Sequence, residues 1–431
     1  MGNEDSIAVG SVAASDEPWR RRPELDYLRG LFMIAMVIYH NFRIIWSPDD
    51  YPQLISIGIL ELATGIYLAV SGANVINFLA KARAKPNFDA MRFYVKASFW
   101  LFVMGFSYNL IVGTPGVMDL IQCVAIGTFV SFLLLYARVR NSLVGLITLA
   151  FFATGALVHS STIEIFPAVQ SSFFYNQLIG NGVVLSQWIK GVHPFPYMFN
   201  HYGPIPWIGY FTLGVFLDRL RGKWMWAALA GSFLIAALGA YLPYLEADGN
   251  IMQAYRVNPR FMLQSVGMIS ALYLLAKLFY RGKTTCNQKV AFWSHTSLIV
   301  FVFHWFFIIA AGFIVQMIAQ VTDWPLFHDW FRYPRALIAF TGIALALRPL
   351  ENLRLRWSKS PHFESRGRKI MIAGFVLAIL SLPFSLSAKG APCVAIFVGV
   401  IGYIGCMMSA YSFAFLYGFL RAKWSKEATR S

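Results

Sequence analysis

Two residues near the start of the chain have the types and the spacing to do chemistry together. Arg29 and His40 lie eleven positions apart in PELDYLRGLFMIAMVIYH, a stretch whose apolar residues predict a helix. Eleven helical residues turn through about 1100°, three full turns plus about 20°, and rise about 16 Å, so both side chains belong to one helix face. A guanidinium at one end of such a face binds phosphate or carboxylate, and a neutral imidazole further along accepts a proton. His304, in WSHTSLIVFVFHWFF, lies at a similar depth in a later apolar stretch, so the two histidines can line one cavity. Ionisable groups inside apolar helices are costly and mark functional sites by default. The plain alternative gives Arg29 the role of an anchor at the membrane surface and His40 that of a helix-to-helix hydrogen bonder.

The elements that hold these residues follow from composition. Of 431 residues, 58% are apolar and only 13% charged, about half the charged fraction of soluble domains. That argues against a soluble enzyme, and long apolar runs without a glycine period exclude disordered and collagen-like chains. Stretches close to the 20 apolar residues that cross a bilayer fall at about 27–46, 54–80, 93–113, 117–137, 142–160, 205–219, 224–244, 260–280, 290–315, 333–350, 369–388 and 392–420. The expected fold is an all-α polytopic membrane protein of about twelve transmembrane helices, a ten-helix core plus a C-terminal helix pair.

The net charge of +16 has a topological meaning. If the spans alternate, 29 of the 36 Lys and Arg residues fall on the side that holds both termini, which makes that side cytoplasmic. Orientation therefore accounts for the basic balance, and no nucleic-acid partner is expected. The polar residues 1–26 form a cytoplasmic tail without a removable signal peptide, 27–350 the membrane core, 351–368 a basic linker broken by Pro361, 369–420 the helix pair and 421–431 a basic tail. The Met1-Gly2 start fits the loose myristoylation pattern by chance. Cys123, Cys286, Cys393 and Cys406 form no CxxC pair, so neither a disulfide nor a metal site is expected.

Further polar residues within the spans are Glu61, Asn74, Asn109, Asp119 and Gln122. Glu61 and Asp119 lie toward the outer ends, where either can orient a histidine or pair with Arg43. The outer loop, about 161–204, carries His193 and His201 and leads into Trp207; its aromatic and amide groups suit a sugar, although Trp and Tyr also collect at bilayer interfaces.

The segment from Pro23 to His40 resembles the first helix of the integral-membrane acyltransferase-3 group, the O-antigen acetylase-like proteins, whose hallmark is an Arg, ten residues, then a His. Later pieces are similar to the branch typified by the heparan-alpha-glucosaminide N-acetyltransferase catalytic domain: LATGIYLAVSGANVINFL, AMRFYVKASFWLFVMGFSYNLIVG, GVMDLIQCVAIGTFVSFLLL, PWIGYFTLGVFLDRL and HTSLIVFVFHWFF, in that order. Together these pieces span about residues 24–310, and the last two spans lie outside them. The paired arginines that follow the second span in acyltransferase-3 proteins are loosely represented by Arg83 and Arg92.

The resemblance implies a multi-pass enzyme of the plasma membrane, the inner membrane in a bacterium. It would move an acyl group, acetyl in the first instance, from cytoplasmic acyl-coenzyme A to a hydroxyl or amine of a glycan or glycolipid on the far side. His40 and His304 would be catalytic, Arg29, Arg83, Arg92 and Lys96 would hold the donor, and Glu61, Asp119, His201 and Trp207 would meet the acceptor. Acyl-coenzyme A is then a co-substrate, with no tightly bound cofactor and no metal; membrane lipids are partners, and self-association is compatible with the layout. Direct transfer and an acyl-histidine intermediate both stay open. The competing class is a transporter or flippase using the histidines as a proton relay.

Overall fold

The computed structural model describes residues 22–45, 53–83, 88–112, 120–160, 204–241, 259–321 and 332–358, with short helical pieces between 365 and 408. The described residues are helical and contain no strand. In chain order the helices are α1 (Pro23–Ile45), α2 (Gln53–Arg83), α3 (Ala90–Val112), α4 (Leu120–Tyr136), α5 (Asn141–Ser160) and α6 (Pro204–Arg219). They continue with α7 (Gly222–Tyr241), α8 (Pro259–Phe279), α9 (Gln288–His295), α10 (Ser297–Val321) and α11 (Arg332–Ser358).

Helix α1 is the hub, packed against α2, α8, α9, α10 and α11. Leu25, Leu28, Phe32, Met33 and Val37 of α1 enter the main core with Ile66 and Val70 of α2, Phe211 of α6 and Tyr273 of α8. A smaller cluster of Val75, Leu79, Tyr94 and Phe132 joins α2, α3 and α4. Close crossings use small residues, as helices without a strong hydrophobic drive require. A Cβ on Gly72 would collide with the backbone of Phe211, and one on Gly214 with the backbone of Ala69, so α2 and α6 touch main chain to main chain.

Polar side chains turn inward: Gln122, Ser131, Thr148, Thr212, Asp218, Ser265 and His304 are all buried. Thr148 donates to Thr212 across α5 and α6 at 2.8 Å, and the Tyr210 and Ser265 hydroxyls share a hydrogen bond of 2.6 Å across α6 and α8. Large apolar side chains turn outward instead: Trp224, Trp226, Phe233, Leu234 and Leu238 on α7, Leu146 and Leu149 on α5, and Phe279 on α8 are all more than half exposed. Two helical stretches, Gly222–Tyr241 and Met262–Phe279, are long and apolar enough to cross a membrane.

The charged helix ends meet at one end of the bundle. Arg22, at the start of α1, pairs with Asp218 near the end of α6. Arg83, at the end of α2, donates to Leu135 O of α4 at 3.4 Å. Arg219 donates to Val139 O at 2.7 Å and Asn141, at the start of α5, to Phe216 O at 3.3 Å. Lys277, near the end of α8, donates to the carbonyls of Leu217, Asp218 and Leu220 at 3.2, 2.7 and 2.9 Å. The starts of α1 and α5 and the ends of α2, α4, α6 and α8 thus share one basic end.

The stretch expected as a single ninth span, 290–315, is two helices. Asn287 caps α9 by accepting from Lys289 N and Val290 N. The chain then breaks at Thr296, whose hydroxyl bonds Phe292 O at 2.8 Å. Three hydroxyl residues in succession around the break, Ser294, Thr296 and Ser297, favour such local bonds over a continued helix. At the other end, α11 runs past Pro349 to Ser358, eight residues into the segment that composition marks as a linker.

Candidate functional site

Arg29 is half-buried on α1. Leu31 and Ile38, the exposed large residues of α1 at 39% and 40%, sit about 160–200° around the helix from positions 29 and 40. The lipid-like face and the Arg29–His40 face are therefore opposite. Position 40 lies on the backbone of α1; its side chain is outside the described residues.

Around Arg29 three helices converge. The guanidinium acts on Tyr67 of α2, and the Tyr67 hydroxyl is hydrogen-bonded to Ser297 at the start of α10. Arg29 Nε is buried and has no hydrogen-bond partner among the described residues. Buried guanidinium donors are satisfied in nearly all folded proteins, so an orphan one invites an anionic or carbonyl acceptor. Helix α9 is held tightly against α1 beside it. A Cβ on Gly30 would strike the Val290 carbonyl, Ser294 Oγ donates to Asp26 Oδ1 at 3.1 Å, and His295 Nε2 lies 3.9 Å from Asp26 Oδ2. The α9–α10 break thus presents Ser297 to the α1–α2 pair.

His304 stands seven residues beyond Ser297, about 10 Å along α10 and within about 20° of the same face. It is completely buried. Its Nδ1 lies 3.1 Å from Val300 O and 2.6 Å from Phe301 O. Both neighbours are carbonyl acceptors, so Nδ1 carries the proton and Nε2 holds the basic lone pair. The Phe301 ring, 5.8 Å away between centroids, restricts the imidazole's tilt. Tyr67, within electrostatic reach of Arg29, therefore ties α2 to the face of α10 that also carries His304.

The other expected residues are placed as follows. Arg83, Arg92 and Lys96 are exposed, at the end of α2 and the start of α3. Arg92 contributes its backbone N–H to Asp89 Oδ1 at 2.9 Å. Trp207 is 2% exposed and stacks at a tilt on Tyr210, 5.5 Å between centroids, inside the main core. Glu61 lies on α2 with its side chain outside the described residues; Asp119, His193 and His201 lie outside them altogether. Asn74 Nδ2 is buried without a partner, on the same α2 face as Tyr67 by its spacing of seven. Among the described residues no group of His, Cys, Asp and Glu could hold a metal ion.

The sequence reading missed the most tightly bonded polar cluster. Asp218, 2% exposed, receives the Arg22 guanidinium and the Tyr273 hydroxyl, the latter at 2.9 Å. Arg22 also donates to Glu24 at 2.7 Å. Burial would weaken the Arg22 charge, but the Asp218 carboxylate overrides it and holds the pKa above the ordinary arginine value. The available signal was one acidic residue inside a basic helix end, LDRLRGK, opposite the arginines before Pro23. Tyr67 and Ser297 were missed because a Tyr and a Ser in apolar helices carry no pattern of their own.

No family model, no curated protein and no solved structure matches the chain.

Proposed function

We propose that this protein is a multi-pass membrane acyltransferase, with about twelve spans and cytoplasmic termini, that takes an acyl group from cytoplasmic acyl-coenzyme A. The observation that carries the reading lies on α1, where Arg29 Nε is a buried donor without a partner among the described residues and position 40 shares its helix face by spacing. The outward apolar side chains and the single basic end support the membrane placement. The plasma membrane is the site this implies, the inner membrane in a bacterium.

Arg29 binds the donor, whose phosphates and thioester carbonyl are acceptors for its free N–H, with Tyr67 and Ser297 fixing its direction. Arg83, Arg92 and Lys96 add positive charge at the cytoplasmic mouth. The acceptor is a hydroxyl or amine of a glycan or glycolipid approaching from the far side. Its oxygen or nitrogen attacks the thioester carbon as His40 removes its proton; the new C–O or C–N bond forms, the C–S bond breaks, and coenzyme A leaves as a thiolate that then takes up a proton. His304, with Nε2 as its basic nitrogen, positions the acceptor.

The break between α9 and α10, inside a predicted span, is the observation that favours transport instead, because interrupted helices frame substrate sites in carriers. Purified protein given acetyl-coenzyme A separates the two readings. An acyltransferase releases coenzyme A slowly by hydrolysis even without acceptor, and His40→Ala abolishes that release while Arg29→Ala raises KM for the donor. A carrier does neither.

A further inference from the structure

The turn between α4 and α5 collects arginines beyond what orientation alone demands. Arg83 reaches it from the end of α2 and bonds Leu135 O; Arg219 reaches it from the end of α6 and bonds Val139 O. Leu135 and Val139 belong to one turn of chain, closed by Arg138 N to Leu135 O and Val139 N to Leu134 O. Both guanidiniums therefore stand on the same few residues. Arg138 and Arg140 lie within that turn and are exposed. Arg138 has φ 55, a conformation that costs an ordinary side chain energy and keeps this turn tight. Among the described residues no carboxylate is bonded to any of the four, and Asp218, next to Arg219 in sequence, is taken by Arg22 and Tyr273.

What lies beside the cluster is apolar. Tyr136 and Leu133, at the end of α4, are exposed, and α5 begins one residue after Arg140 with the exposed stripe Leu143, Leu146 and Leu149. Four cations at the head of an outward apolar stripe match one class of ligand. A phosphate with aliphatic chains satisfies both parts, whereas a soluble phosphate satisfies only the first. The cytoplasmic leaflet supplies such molecules as anionic phospholipids.

We propose that Arg83, Arg138, Arg140 and Arg219 form a binding site for the phosphate of an anionic phospholipid, whose acyl chains lie along the leucine stripe of α5. The site rests on the membrane placement of the basic end and not on acyl transfer. Each guanidinium at the headgroup contributes about a five-fold gain in affinity. Replacing two therefore weakens binding about twenty-five-fold.

The test titrates detergent-purified full-length protein with phosphatidylglycerol, cardiolipin or phosphatidylcholine and counts bound lipid by native mass spectrometry. Arg83→Gln with Arg219→Gln is one variant. Arg138→Asn with Arg140→Gln is a second, which leaves the hydrogen bonds of Arg83 and Arg219 in place and keeps at 138 a residue that tolerates positive φ. Arg281→Gln with Lys283→Gln is the control, two exposed cations on the α8–α9 turn. Wild type and control should retain anionic lipid over phosphatidylcholine, and the second variant should lose about twenty-five-fold in affinity. Equal retention of all headgroups, or unchanged binding in the second variant, overturns the proposal. Displacement of the lipid by millimolar inorganic pyrophosphate assigns the arginines to a soluble phosphate and likewise overturns it. Lipid retention with no turnover of acetyl-coenzyme A leaves this site standing while the acyltransferase reading fails.

Discussion

Replacing Asp218 by Leu takes from the Arg22 guanidinium its buried partner, leaving it Glu24, and orphans the Tyr273 hydroxyl at the basic end of the bundle. An exposed ion pair contributes at most about 1 kcal/mol, and breaking a fully buried one costs about 3–5 kcal/mol. Asp218 is 3% exposed and Arg22 21% in their side chains, so the pair lies nearer the buried limit with one partner still reached by water. The expected loss is about 2–3 kcal/mol, to which the orphaned Tyr273 hydroxyl adds about 1 kcal/mol. Lys277 keeps its hydrogen bonds to the carbonyls of Leu217, Asp218 and Leu220 but loses the nearby Asp218 carboxylate as a counter-charge. The cost arises from groups left unpaired, so removing them together should recover much of it: Arg22→Met, Asp218→Leu and Tyr273→Phe combined should be more stable than Asp218→Leu alone, while the Glu24 carboxylate that Arg22 also pairs keeps it below wild type. Reversible unfolding in mixed micelles, followed by tryptophan fluorescence, measures both variants. A single Asp218→Leu change without effect, or a triple variant as unstable as the single one, refutes the reasoning.

Gly72→Ala should cost at least about 3 kcal/mol or prevent folding, since its Cβ meets the Phe211 backbone rather than a yielding side chain; detergent-resistant monodispersity checks it. Thr148→Val should cost only about 0.6 kcal/mol in the same unfolding assay, the average for a hydrogen bond between membrane helices, although its partner Thr212 is completely buried. Tyr67→Phe should raise KM for acetyl-coenzyme A about five- to ten-fold with kcat nearly unchanged, through loss of the bond to Ser297 that faces Arg29. His304→Ala should lower kcat about 100-fold, and an unchanged kcat removes it from the site.

The helices were largely legible because apolar runs of membrane length admit few readings. The helices α1 to α11 overlap the first ten expected stretches, most with ends shifted by a few residues, α10 and α11 running six and eight residues further. The exception is the α9–α10 break, where polar hydroxyls within a run of otherwise apolar residues decide the backbone locally. In α1 the eleven-residue spacing puts positions 29 and 40 on one face, opposite the exposed Leu31 and Ile38, since periodicity fixes rotation about a helix axis. It could not identify Tyr67, which comes near Arg29, or Ser297, which bonds Tyr67, because both depend on how two other helices pack. Nor could it separate Arg22 from its neighbours Arg20 and Arg21, because pairing with Asp218 depends on which helix ends become neighbours.

Sealed inverted vesicles containing the protein expose the basic end to added acetyl-coenzyme A. With label in the acetyl group, the acyltransferase account predicts acetylated carbohydrate inside the vesicles, lost in His40→Ala and Arg29→Ala while both variants remain inserted. Absence of label in any acceptor, together with no release of coenzyme A from acetyl, succinyl or longer thioesters, would contradict it.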